Sequence, residues 1–286
     1  MIRAFSTVIL LAFIAIASDG LAQRRWSGGE ASVARPAAEV APSGLFTFCR
    51  IQYDSGDQGG RRGRGRWGGW RTDYPESDLN FSLRLSQLTT LDVARTSEGG
   101  FEHVVARLDD PALFDYPFAY MLEVGNMTLS EKERVGLREY LLRGGFLLVD
   151  DFWGDYGWEN WQYEIERVLP PEEYPMVDIP LDHELFHIVF NIDEVPQVPG
   201  ISNYWMWEQT GQTYEGNPGR YVRYGSAARI RGIYDAEGRL MVVVLHNTDL
   251  GDGWEREGEN YGYFKEFSAK KAYPMGINIV VYAMTH

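Results

Sequence analysis

Cysteine is nearly missing from this chain: Cys49 is the single one in 286 residues. An internal disulfide and any cysteine-based metal cluster are therefore excluded. Positive charge is also short. With 27 Lys and Arg against 41 Asp and Glu, the formal net charge is −14, which argues against nucleic acid as a partner. No internal repeat is visible, so repeat architectures fall away. What remains is ample for a core, with 44% hydrophobic and 14% aromatic residues.

One long apolar run exists, and it opens the chain. A short basic start, Met1-Ile2-Arg3, leads into an apolar stretch over residues 4–18, and Gly20-Leu21-Ala22 supplies small residues for cleavage before Gln23. The stretch is short, and neither stop-transfer charges nor a lipid-accepting Cys follows it. This is the pattern of a secretory signal peptide rather than a membrane span. The expectation is a periplasmic or secreted protein with no span in the mature chain. Residues 23–44, rich in Ala, Gly, Pro and Ser, read as a flexible linker, and one α/β domain is expected over residues 45–286. Within that domain, residues 55–70 set four arginines among glycines and read as a solvated loop. The aromatic-rich stretch 196–224 reads as an insertion.

Periodicity supplies the elements. Residues 46–53, 118–124, 146–149 and 240–245 have the apolar, β-branched and aromatic content of strands. A helix starts after Ser77 or Asp78, with Phe81, Leu85 and Leu88 on one face. Ser130 with Glu133 forms a capping box that opens a second helix, ending at Gly144. Residues 158–168 read as a third, and residues 269–284 as a closing helix. Strands 228–234 and 239–247 are joined by a turn, Asp235-Ala236-Glu237-Gly238. Strand and helix alternation implies a mostly parallel sheet with helices on both faces and a late hairpin.

The centre of this pattern is Gly144-Gly145-Phe146-Leu147-Leu148-Val149-Asp150-Asp151-Phe152-Trp153-Gly154. A buried parallel strand delivers two carboxylates to its carboxyl end, where ligands bind in open α/β sheets. Asp150 and Asp151 are thus candidate acid/base or metal-binding groups, with Trp153 beside them. The alternative is that they cap and brace the following loop. His246-Asn247-Thr248-Asp249 leaves another apolar strand, and His246, Asn247, Asp249 and Asp252 are candidates there for binding a ligand or a divalent metal. His183-Glu184-Leu185-Phe186-His187 spells H-E-x-x-H, the zinc-peptidase signature. Its context is a helix start, with Pro180 three residues ahead and Asp182 as the expected cap, whereas the signature belongs in a helix interior.

Taken in order, Asp73-Tyr74-Pro75, Asn80-Phe81 with Leu88-Thr89, the Gly144 to Gly154 run, Asp182-His183, His246-Asn247 with Asp249-Leu250, and the ending from Gly276-Ile277-Asn278 to Tyr282 resemble a bacterial family. It is the domain-of-unknown-function family number 4159, and the resemblance covers residues 45–286. It brings no activity with it. It does imply the layout of the class I glutamine-amidotransferase-like superfold and its trehalose-utilisation relatives, which place a catalytic Cys just after the strand matching residues 146–149. Here that place holds Asp150 to Trp153, and thiolate glutaminase chemistry is excluded by residue type.

Three functions stay open. The first is an exported envelope module that holds a glycan or a protein partner in an Asp/His/Trp cleft. The second is a Cys-less hydrolase using Asp150, Asp151 and His183, with or without a divalent metal, for which His183, His187 and Asp151 are the candidate ligands. The third is a zinc metallopeptidase acting through His183 and His187.

Overall fold

The computed structural model describes residues 34–55, 69–217 and 221–286. The expected signal peptide, the first part of the linker and most of the Arg/Gly-rich loop lie outside these residues. In chain order the elements are β1 (Phe48–Gln52), β2 (Asp54–Ser55), α1 (Glu76–Leu88), β3 (His103–Arg107), β4 (Phe118–Leu122), β5 (Met127–Thr128), α2 (Glu131–Leu142), β6 (Phe146–Asp150) and α3 (Gly154–Glu166). After these come β7 (Met176–Asp178), α4 (Tyr204–Thr210), β8 (Arg229–Tyr234), β9 (Leu240–His246), α5 (Leu250–Glu255), α6 (Tyr261–Tyr263), a π-helical stretch (Phe264–Ala272) and α7 (Tyr273–Thr285). The last three run together as one 25-residue C-terminal helix.

Seven strands form one sheet in the order β3-β1-β4-β6-β9-β8-β7. The pairs from β3 to β9 are parallel, while β8 returns antiparallel to β9 and β7 pairs antiparallel with β8. The α/β fold, the mostly parallel sheet and the late hairpin expected from periodicity are all present. The central strands β4 and β6 are buried along their whole length, as strands covered on both faces must be.

Side-chain alternation sorts the core into two layers. On one face Phe48, Tyr120, Leu148, Val243 and Leu245 pack against Phe81 and Leu85 of α1, Trp254 of α5 and Ile277 of α7. On the other, Cys49, Met121, Leu147, Val149, Val242 and Val244 meet Leu137 and Leu141 of α2 and Trp158, Trp161 and Ile165 of α3. The capping box that opens α2 forms as expected, Ser130 accepting from the Glu133 N–H and the Glu133 carboxylate accepting from the Ser130 N–H.

Two differences from expectation matter for the site. The third helix begins at Gly154, four residues before the periodicity suggests, because Asn247 Oδ1 accepts the Gly154 N–H at 2.8 Å. That bond satisfies one of the donors a helix start leaves free. The aromatic-rich stretch, expected as an insertion, first crosses the carboxyl edge of the sheet at Val198 and then carries α4. At that edge the Val198 N–H bonds Thr248 Oγ1 at 2.9 Å, and the Val198 carbonyl accepts the Asp249 N–H at 3.0 Å.

Candidate functional site

Three segments that leave the sheet at its carboxyl edge bring carboxylates together. Asp73 comes from the segment that leads into α1, Asp151 from the exit of β6, and Asp249 from the exit of β9, where it caps α5 by accepting the Asp252 N–H at 2.7 Å. One oxygen of each lies within 4.8 Å of the others. All three side chains are buried, at 9%, 5% and 6% exposure. Among the described residues none of the three takes part in an ion pair. Burial is the main cause that lifts each carboxyl well above its usual range, and the neighbouring carboxylates add to it. Asp252 and Glu255 make a second group with Asp73, but both already pair with Arg256.

The walls of this cluster are specified in detail. Arg50, fully buried on β1, pairs with the fully buried Asp78 of α1. Its guanidinium also donates to the carbonyls of Trp70 and Thr72, at 3.1 and 2.7 Å, and to Ser77 Oγ at 2.7 Å. Those bonds fix the loop that carries Asp73. Asp151 adopts a left-handed φ of 50° and accepts the Trp153 indole N–H at 3.2 Å, which orients that ring beside the cluster. The Trp153 ring centroid lies 5.9 Å from that of Tyr214. Glu215 enters from the folded-over segment and accepts the Gly200 N–H. Glu123 is raised to about 7, chiefly by burial and then by Glu215.

Asp150 has a different part. Its Oδ2 accepts Tyr120 OH at 3.1 Å and the N–H groups of Leu250 and Gly251 at 2.9 and 3.0 Å. Burial raises its pKa to about 7 against the pull of those donors. It braces the start of α5, which is the capping alternative weighed for the pair, while its neighbour Asp151 faces the cluster.

The structure does not bring the candidate histidines here. Asp150 lies on the α1/α7 face of the sheet, whereas His246 lies on the α2/α3 face. His246 stacks on Phe152 with ring centroids 5.1 Å apart, and its Nε2 bonds the Gly154 carbonyl at 3.0 Å. Desolvation is the first cause that lowers its pKa to about 4. Asn247 ties the β9 exit to Gly154 and to the carbonyls of Gly225 and Ala227, a structural use of all its polar atoms. His183 lies near Tyr234 and Tyr282. Tyr234 pairs with Leu240, the first residue of β9, so His183 stands at the amino end of the sheet. The seven residues of β9 put roughly 20 Å between that end and the carboxylates.

The H-E-x-x-H stretch is a three-residue 3-10 turn, Glu184–Phe186, and His183 rather than Asp182 caps it. His183 Nδ1 accepts the Leu185 N–H at 3.2 Å. His187 bonds Asn191 Oδ1 and the Leu181 carbonyl through its two ring nitrogens, at 2.6 and 2.7 Å. The one-turn helical spacing that would aim both rings at one zinc is not formed.

The family described as Domain of unknown function (DUF4159) matches residues 47–284. The chain belongs to this family. A comparison with curated proteins gives no match. In this DUF4159 chain the thiol stands apart from the site. Cys49 is buried on β1, and burial, with Asp78 and Asp110 behind it, pushes its pKa up. The thiolate needed for nucleophilic attack is thereby suppressed. Asp73 stands in the sequence only within the Asp73-Tyr74-Pro75 motif and was not among the candidate site residues. The available signal was its place in the ordered set of motifs, together with an Asp at the exit of each of two other segments.

Proposed function

We propose that this DUF4159 chain is an exported binding module of the cell envelope, whose working centre is the carboxylate cluster beside Trp153 and whose ligand is a glycan. One observation carries the reading: three buried carboxylates from three separate segments meet next to an indole ring that one of them holds in place. Carboxylate oxygens accept from sugar hydroxyls, and an aromatic ring stacks on the apolar face of a pyranose. The signal-peptide pattern of residues 1–22 supports export. Among the described residues the group beside the carboxylates holds no thiol or histidine that would favour covalent or His-based hydrolysis.

The test is isothermal titration of the mature protein with soluble fragments of envelope polysaccharide, with reducing ends followed in the same samples. Saturable binding that weakens at least about tenfold in Trp153→Ala, the loss of roughly 1.4 kcal/mol of stacking, supports the reading. Absence of binding to every fragment class would refute the glycan assignment. Release of reducing ends would replace the binding module with the hydrolase reading.

A further inference from the structure

The same carboxylates present an unbalanced charge. Carboxylate charges within 4.8 Å of one another repel strongly in a buried site, and three such pairs exist among Asp73, Asp151 and Asp249. Among the described residues, the cations nearest the cluster, Arg50 and Arg256, are committed elsewhere. Arg50 pairs with Asp78, and Arg256 pairs with Asp252, Glu255 and Glu259.

A second observation points to what is held there. Among the described residues Asp73 Oδ2 is buried without a hydrogen-bond partner, on a residue only 9% exposed whose loop is pinned through Arg50. The space around this oxygen is kept by Gly251, where an added Cβ would stand 2.6 Å from Asp73 Oδ2 and 2.8 Å from Tyr120 OH. Buried carboxylate oxygens in native proteins are satisfied by donors or by ions.

The donor chemistry selects the ion. Every candidate ligand atom in the group is a carboxylate oxygen, which suits hard cations and not zinc or copper. Magnesium keeps several waters and is usually held through one or two carboxylates, whereas calcium takes several protein oxygens. Three buried protein carboxylates within 4.8 Å of one another suit calcium. We infer that Asp73, Asp151 and Asp249 hold one hard divalent cation of the calcium class at the carboxyl edge of the sheet. The inference rests on the same cluster as the proposed function but not on the glycan. Cation binding is measured with no sugar present, so either reading can fail alone.

The experiment uses the mature chain stripped with a chelator, then titrated with CaCl2, and separately with MgCl2, by calorimetry and thermal unfolding. Calcium is expected to bind at one site per chain and to raise Tm by about 5 °C or more at a hundred times Kd. Asp73→Asn and Asp249→Asn should weaken calcium binding at least about tenfold. Asp151→Asn should lose the calcium-dependent rise while melting higher than the stripped wild type, because one repelling charge is gone. A merely structural carboxylate would give neither half of that pattern. Absence of binding, binding of Mg2+ but not Ca2+, or a full calcium-dependent rise in Asp73→Asn would overturn the inference.

Discussion

Replacing Arg50 by Met should destabilise the protein severely, and the structure says by how much. Arg50 and Asp78 are both completely buried, and their pairing also uses Ser77 Oγ and the carbonyls of Trp70 and Thr72. Arg50→Met leaves the Asp78 carboxylate in the core with Ser77 Oγ as its remaining side-chain donor among the described residues. Stranding one partner of a buried ion pair costs about 3–5 kcal/mol, and two orphaned carbonyls add about 1–3 kcal/mol each. Urea unfolding followed by tryptophan fluorescence should show a loss of at least about 4 kcal/mol. The double variant Arg50→Met with Asp78→Met removes the stranded charge and should recover about 2 kcal/mol or more of that loss, since apolar residues replace buried pairs at little cost. A single-variant loss below about 1 kcal/mol, or a double variant no more stable than the single, would refute the reasoning. It would also remove the account of how the Asp73 loop is held.

Two further predictions follow from other parts of the fold. The pKa of buried His246 is lowered to about 4 from 6.5, so its stabilising contribution is full above pH 6.5 and is lost as pH falls towards 4. At its largest the loss is roughly 3 kcal/mol. His246→Phe should flatten this part of the stability–pH curve relative to wild type, and an unchanged slope would count against the buried neutral ring. Gly136 of α2 lies so close to the Leu108 carbonyl that an added Cβ would overlap it. Gly136→Ala should therefore cost about 1–3 kcal/mol in urea unfolding, and a neutral result would contradict the packing of α2 on the β3 exit.

Much of the fold was legible because its signals are local. Phe146 to Val149 between a glycine pair and two carboxylates reads as a buried strand, and Ser130 with Glu133 announces α2 directly. The site was legible only in part. Asp151 and Asp249 could be placed at strand exits, since parallel strands bring their carboxyl ends to one edge. Which face each side chain takes depends on register, and there the sequence pattern was silent. His246 falls one row beyond Leu245 and so turns to the α2/α3 face, away from Asp150. His183 could not be located either, because the antiparallel β8 carries the neighbouring Tyr234 to the amino end of the sheet. Asp73 was hidden for another reason: the tertiary bonds from Arg50 that fix its loop have no sequence signature.

Anomalous diffraction from crystals of the mature protein equilibrated with calcium tests the central claim most directly. The account predicts one peak within about 2.3–2.6 Å of an oxygen from each of Asp73, Asp151 and Asp249. No peak at saturating calcium, or a peak held by Asp252 and Glu255 without Asp151 and Asp249, would contradict it.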